Sequence, residues 1–280
     1  MTSALDDLAR LGDPIDARPL FAPEHGELMS LLRGLSPADW TAEAVPGWTV
    51  RDLAAHVLGD CYGRLGRRDG HRGGPGFRPG ETLEAFIHRN NDEWVRAFAR
   101  VSPAALTDTL GLIGGQTAQY FAGADLDAPA LGVSWAGADP APMWLDAARE
   151  FTEMWTHRQQ IRHAVGLDTD DDPRFLSLVL DAFMRALPHT MRDTKAPNGT
   201  QVRITVPGPA GGAWHVTAAD ERWSLAEPVT RPAAAVELDA ETAWRLCARG
   251  LEPDAALARA RVDGDADLAA AACQIVSIVY

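Results

Sequence analysis

The hydrophobic pattern of this chain changes period once. Up to about residue 169 the patterned segments repeat apolar residues at helical spacing, and from Gln201 onward apolar residues alternate. Helical spacing buries one stripe of a helix, whereas period two buries one face of a strand. The chain is therefore expected to form two units, residues 1–169 and 170–280, the first helical and the second α+β. Residues 1–23, with Pro14, Pro19 and Pro23, read as a loose lead-in. Helices are expected over residues 24–35, from residue 50, over 81–101, 103–112 and 144–165. Ser36-Pro37 and Ser102-Pro103 act as starts. The Gly- and Pro-rich stretch 63–80 cannot hold a regular element, and 114–140 reads as irregular. A further helix is expected over 174–191, then strands over 201–206, 213–217, 222–225 and 234–238, with helices from Ala240 and Ala266.

Two of the helical segments carry residues with chemistry to offer. In GWTVRDLAAHVLGD (residues 47–60), Thr49 can cap a helix and Asp52 completes a variant of the capping box three residues later. His56 then lies two turns in, beside an apolar stripe of Val50, Leu53, Ala54, Val57 and Leu58. In EFTEMWTHRQQIRHA (residues 150–164), Glu153 and His157 stand four apart. They share one helix face, with Cβ atoms about 5–6 Å apart, and can reach one ion. Two imidazoles and a carboxylate suit catalytic zinc, because three protein ligands leave room for water or substrate. Asp60, one turn after His56, can orient His56 or replace Glu153 as ligand, and Glu150 can act likewise. The plainer role for both is a solvated or supporting charge. Three or four long helices with ligand residues on two of them fit an up-and-down bundle.

Taken together, these segments resemble the DinB-like, mycothiol-dependent maleylpyruvate isomerase family. In that family a His from the second helix and a Glu-x-x-x-His pair from the fourth bind a divalent metal inside a four-helix bundle. The resemblance extends to about Gly166 and implies His56, Glu153 and His157 as metal ligands, zinc as the preferred metal and mycothiol as co-substrate. The closing AVELDAETAWRLCARG…RVDGDADLAAAA resembles the sterol-carrier-like domain that often follows. The fold class so implied is α+β, a DinB-like up-and-down four-helix bundle followed by a small α+β domain. The family contains isomerases and thiol S-transferases, so the resemblance leaves thiol-assisted isomerisation and S-transfer both open.

A net charge of −13 argues against nucleic acid or an anionic membrane as the main partner, and small soluble molecules fit better. The natural partners are a small electrophile and a small thiol; oligomeric state is not legible. Lys195 is the only lysine, and Ala, Gly, Pro and Arg abound. All four have GC-rich codons, which suits an actinobacterial mycothiol user, and the single lysine makes Schiff-base chemistry a poor fit. The sequence has no signal-peptide pattern and no apolar run near the roughly 20 residues of a membrane span. A cytoplasmic protein is expected. Cys61, Cys247 and Cys273 are scattered and read as small buried hydrophobes, with Cys61 about 140° round the helix from His56.

Other residues have bland roles beside any functional one. His163 and Arg162 are offset from the Glu153–His157 face and read as structural; His71, His88, His189 and His215 lack partners at metal-ligand spacing. Arg64, Arg67, Arg68, Arg72 and Arg78 can gather a carboxylate or form a solvated loop. Trp48, Trp144 and Trp155 read as packing anchors, and Trp135 as a possible pocket wall. The leading function is a metal-dependent enzyme acting through a low-molecular-weight thiol. Two alternatives remain: a hydrolase using metal-bound water, and a non-catalytic lipid or small-molecule binder with a structural metal. An open ligand set favours the enzymes, since structural zinc usually has four protein ligands.

Overall fold

A computed structural model describes residues 8–71, 73–229 and 231–278, so Arg72 of the arginine-rich stretch lies outside the described residues. Among the described residues five α-helices come first: α1 (Phe21–Gly34), α2 (Val50–Leu65), α3 (Leu83–Phe98), α4 (Pro103–Ala122) and α5 (Met143–Ala164). Two small hairpins lie among them, β1 (Glu43–Val45) with β2 (Trp48–Thr49), and β3 (Pro129–Ala130) with β4 (Ala141–Pro142). After α6 (Pro173–Met184) and α7 (Leu187–Thr190) come β5 (Gln201–Val206), β6 (Gly212–Ala219), β7 (Arg222–Leu225) and β8 (Ala234–Glu237). The chain continues through α8 (Ala240–Cys247), α9 (Pro253–Leu257), β9 (Arg261–Gly264) and α10 (Ala266–Ala272). The fold class is α+β with a helical N-terminal part. Among the described residues no helix is long and apolar enough to cross a membrane.

Contacts gather the described residues into two compact units. One comprises Arg18–Ala124 with Glu153–Asp170; the other comprises the described residues up to Ala17, Asp125–Thr152 and the described residues from Asp171 onward. This grouping differs from a contiguous division at 169/170, because residues 125–152 go with the sheet-bearing unit. The first half of α5 explains why. Leu145, Ala148 and Phe151 are fully buried there, and the Phe151 ring lies 6.3 Å from that of Phe175 on α6.

In the helical unit α4 packs on both α1 and α2, and α3 packs on α2. Leu28 and Leu32, Leu53, Val57 and Leu58, Leu106 and Leu110, and Ile161 form one buried cluster. Helix α4 runs ten residues beyond the expected stop near Leu112. Its glycines cost about 1 kcal/mol each against alanine, but Leu106, Leu110, Thr117, Ala118 and Phe121 bury one continuous face. Gly114 also has a packing reason: a Cβ there would lie 2.5 Å from the His25 ring, which bonds the Leu110 carbonyl at 3.2 Å. Helix α2 likewise continues through Gly63, Arg64 and Leu65, residues expected in the loop.

In the other unit the sheet order is β7-β6-β5-β8-β9, with β5 and β8 parallel and the remaining pairs antiparallel. Val202, Ile204 and Val206 alternate inward as expected. Strand β9 was not anticipated. Its Arg-Val-Asp-Gly is exposed at every position of an edge strand, so no apolar alternation marks it. Helix α6 ends at Met184 rather than near 191, because Pro188 has no N–H to give the Met184 carbonyl and its ring would crowd it. Trp135 and Trp144 are buried in this unit. Cys61, Cys247 and Cys273 are buried thiols, not disulfides. Burial raises Cys247 to about 12 and Cys273 to about 11, which leaves both unreactive.

Candidate metal centre

The hairpin β1–β2 delivers Thr49 to the start of α2. There its Oγ1 accepts from the Asp52 amide at 3.3 Å, while the Asp52 carboxylate accepts from the Thr49 amide at 3.1 Å. With both orphan donors satisfied the helix begins firmly at Val50. On the other side, Arg158 anchors the second half of α5. Its guanidinium donates to both Glu24 carboxylate oxygens at 2.6 and 2.8 Å and to Asp170 at 2.7 Å. Arg158 and Glu24 are buried, so breaking this pair would strand a buried charge at a cost of about 3–5 kcal/mol. The neighbouring His157 is thereby held in a fixed rotation about the helix axis.

These supports bring His56 and His157, a hundred residues apart in sequence, into direct contact. Their Nε2 atoms lie 3.0 Å apart with the rings edge-on. Two imidazole lone pairs cannot face each other at that distance without a proton or a metal ion between them. Asp60 Oδ2 lies 3.2 Å from His56 Nε2, and Glu153 Oε2 lies 3.3 Å from His157 Nε2. One ligand atom each from His56, Asp60 and His157 fall within 4.8 Å of one another. Two imidazoles with carboxylate oxygens beside them are a donor set that suits zinc, so the residues present fit a divalent metal. Asp60 thus joins the cluster, whereas Glu150 is paired with Arg149 at 3.6 Å.

Protonation differs sharply between the two histidines. Burial, reinforced by the charge of His157 and only partly offset by Glu153, pushes His56 down to about 3. Burial also opposes charge on His157, but the Glu153 hydrogen bond and charge, together with Gln160, raise it above its ordinary value. Burial would raise Glu153; His157, His56 and Arg64 overcome that and hold its carboxyl below the usual range. Burial thus keeps His56 uncharged, while the surroundings of Glu153 and His157 favour opposite charges on that pair.

One contributor, Gln160, escaped the sequence, and two others, Arg64 and Trp48, were singled out there without being placed beside the histidines. Gln160 Oε1 lies 2.8 Å from His157 Nδ1, and an i,i+3 amide after a histidine is the signal that could have marked it. Arg64 is buried, with its guanidinium 5.8 Å over the Phe121 ring, and its charge reaches Glu153. Its position i+8 from His56 placed it on the same side of α2. Trp48 adds an apolar wall, its ring 5.2 Å from that of His56. Arg89 ties the end of the arginine-rich stretch to α3, bonding Glu81 at 2.7 and 2.8 Å and the Gly76 carbonyl at 3.0 Å. A cleft of about 660 Å³ opens there, lined by Gly63, Arg67, His71, Asn90 and Trp94 among others.

No curated protein matches this chain. Two solved structures align with it. A crystal structure of the mycothiol-dependent maleylpyruvate isomerase shares 15% identity at a TM-score of 0.49, over 90% of this chain and 94% of that one. A point mutant of the mycothiol-dependent maleylpyruvate isomerase shares 14% identity at 0.48, over 88% and 91%. The family model described as "Mycothiol maleylpyruvate isomerase N-terminal domain" matches residues 21–162, half of the chain, including His56, Asp60, Glu153 and His157. On that match, this chain belongs to the mycothiol maleylpyruvate isomerase N-terminal domain family.

Proposed function

We propose that the protein is a metal-dependent enzyme that uses a low-molecular-weight thiol, mycothiol, to isomerise a small electrophile or transfer sulfur to it. The observation that carries this reading is the convergence of His56, Asp60 and His157, with Glu153 against His157, in a chain of this family. His56, Glu153 and His157 would hold the metal, with zinc preferred, and Asp60 would orient His56 from beside it. A bound divalent metal supplies one thing: it lowers the pKa of a thiol from about 8.5 so that the thiolate is the species present at neutral pH.

The chain's own groups do the remainder. His56, kept neutral by burial, has a ring-nitrogen lone pair to offer without first losing a positive charge. Glu153, held anionic, keeps His157 in place through Oε2. Asp60, with a side chain one third exposed, is the member of the cluster best able to pass the thiol proton from Oδ2 to solvent. Arg64 adds a buried positive charge that favours an anionic electrophile. The cleft begins at Gly63, one turn beyond Asp60, and we assign it the polar remainder of the thiol.

For isomerisation, the thiolate sulfur adds to one carbon of a conjugated alkene, and the carbon–carbon bond rotates while it is single. Elimination then returns thiolate and the isomerised alkene. For transfer, the same sulfur displaces a leaving group and stays bonded to carbon. The test is turnover of maleylpyruvate and a panel of activated alkenes and alkyl donors, with and without mycothiol. Thiol-dependent conversion that disappears in His157→Ala is expected. Absence of any thiol-dependent reaction, together with failure of zinc-loaded protein to bind mycothiol by calorimetry, would overturn the reading.

A further inference from the structure

We infer that Gln160 is a positioning residue that selects the tautomer of His157, and the inference rests on the metal reading above. A neutral imidazole carries one N–H, and only the other nitrogen has a lone pair to give a metal. His157 Nδ1 lies 2.8 Å from Gln160 Oε1, whereas its Nε2 faces His56 Nε2 at 3.0 Å and Glu153 Oε2 at 3.3 Å. An amide oxygen only accepts, so the contact requires a proton on Nδ1. Nε2 is then the nitrogen whose proton, shared with Glu153, is given up, and its lone pair is the one left to face the cluster.

The helix makes this support local. Gln160 lies three residues after His157 on α5, where i and i+3 side chains are neighbours. The intervening residues are committed elsewhere: Arg158 to Glu24 and Asp170, and Gln159 Oε1 to the Asp170 amide at 2.8 Å. Those bonds fix the backbone on which Gln160 stands. A metal-ligating histidine whose other N–H is held by a carbonyl or carboxylate is both oriented and made a better donor. Gln160 supplies that hold for His157 through Oε1, at 2.8 Å.

The experiment compares wild type, Gln160→Leu and Gln160→Glu, with nitrogen-15 NMR of the metal-free proteins at alkaline pH and zinc affinity by competition with a chelator. His157 signals are assigned by their loss in His157→Ala. The expected results are an Nδ1–H tautomer in wild type and in Gln160→Glu, and an Nε2–H tautomer in Gln160→Leu. Zinc affinity should fall about 10- to 100-fold in Gln160→Leu and stay within a few-fold in Gln160→Glu. An unchanged tautomer and unchanged affinity in a folded Gln160→Leu would overturn the assignment. If wild type binds no zinc while the tautomer still responds to Gln160→Leu, the metal reading falls and the positioning role stands.

Discussion

Helices α2 and α5 each give the cluster one histidine and one carboxylate, but they prepare them in opposite ways. On α2, His56 is 5% exposed, wrapped by apolar side chains and Trp48, and its Asp60 partner is the more exposed of the two carboxylates. On α5, His157 is braced on both ring nitrogens, by Glu153 on one and Gln160 on the other. Burial drives His56 neutral, whereas for His157 burial, again the largest single influence, is outweighed by the hydrogen bond and charge of Glu153 together with Gln160, which favour its charge. Two imidazoles in contact need not share a protonation state. The contrast provides one donor that is always ready and one whose proton the incoming metal must displace.

The comparison would break first at the histidines. His56→Ala and His157→Ala should each reduce zinc affinity by more than the roughly 10–100-fold that loss of a supporting partner costs, leaving purified protein essentially metal-free by elemental analysis. Full occupancy in the double variant would remove the metal from the site. The carboxylates then rank the two helices. Glu153→Gln should weaken zinc retention about 100-fold and Asp60→Asn about tenfold, because Glu153 is the less exposed group and also secures His157. The reverse order, measured by chelator competition, would transfer the ligand role from α5 to α2.

A third outcome concerns protons. His157 is shifted upward, so below its raised pKa it holds a proton that the metal must expel, and above it no proton is released. Zinc affinity should accordingly rise with pH by about tenfold per unit across that range and then level off, the slope expected for one displaced proton. His56, already down at about 3, should contribute nothing to the slope above mildly acidic pH. Calorimetry in buffers of differing ionisation enthalpy counts the protons. A release of two would mean that His56 is charged and that burial does not dominate there.

Legibility followed the same division. The start of α2 and the placement of His56 could be read because Thr49 and Asp52 encode a cap locally, and Glu153 and His157 because spacing of four places them on one face. The α+β class was legible in the single change of period. What escaped depends on tertiary partners. Helix α4 passes Gly114 because His25 fills the space, and Arg64 leaves the basic loop because α2 runs one turn further than its glycines suggest. Asp60 was weighed as a ligand from its spacing, but its 3.2 Å approach to His56 depends on how the side chains settle against α5. Strand β9 carries no pattern because both faces of an edge segment are exposed.

The smallest expected effect tests whether the preparation of His56 is local to its helix start. Thr49→Ala removes a side chain that caps the Asp52 amide and also donates to Asp52 Oδ2 at 2.7 Å. Loss of such a cap costs about 1 kcal/mol of stability. The cap lies seven residues before His56, and Leu53, Ala54, Val57 and Leu58 between and beyond them are buried in the bundle core. Fraying of the first turn should therefore be stopped by packing before it reaches the histidine. Chemical denaturation should show the lower stability, while zinc affinity of the folded variant should change by less than about threefold, under 1 kcal/mol. A much larger loss of zinc affinity would show that α2 owes its ready donor to the cap and not to the apolar enclosure.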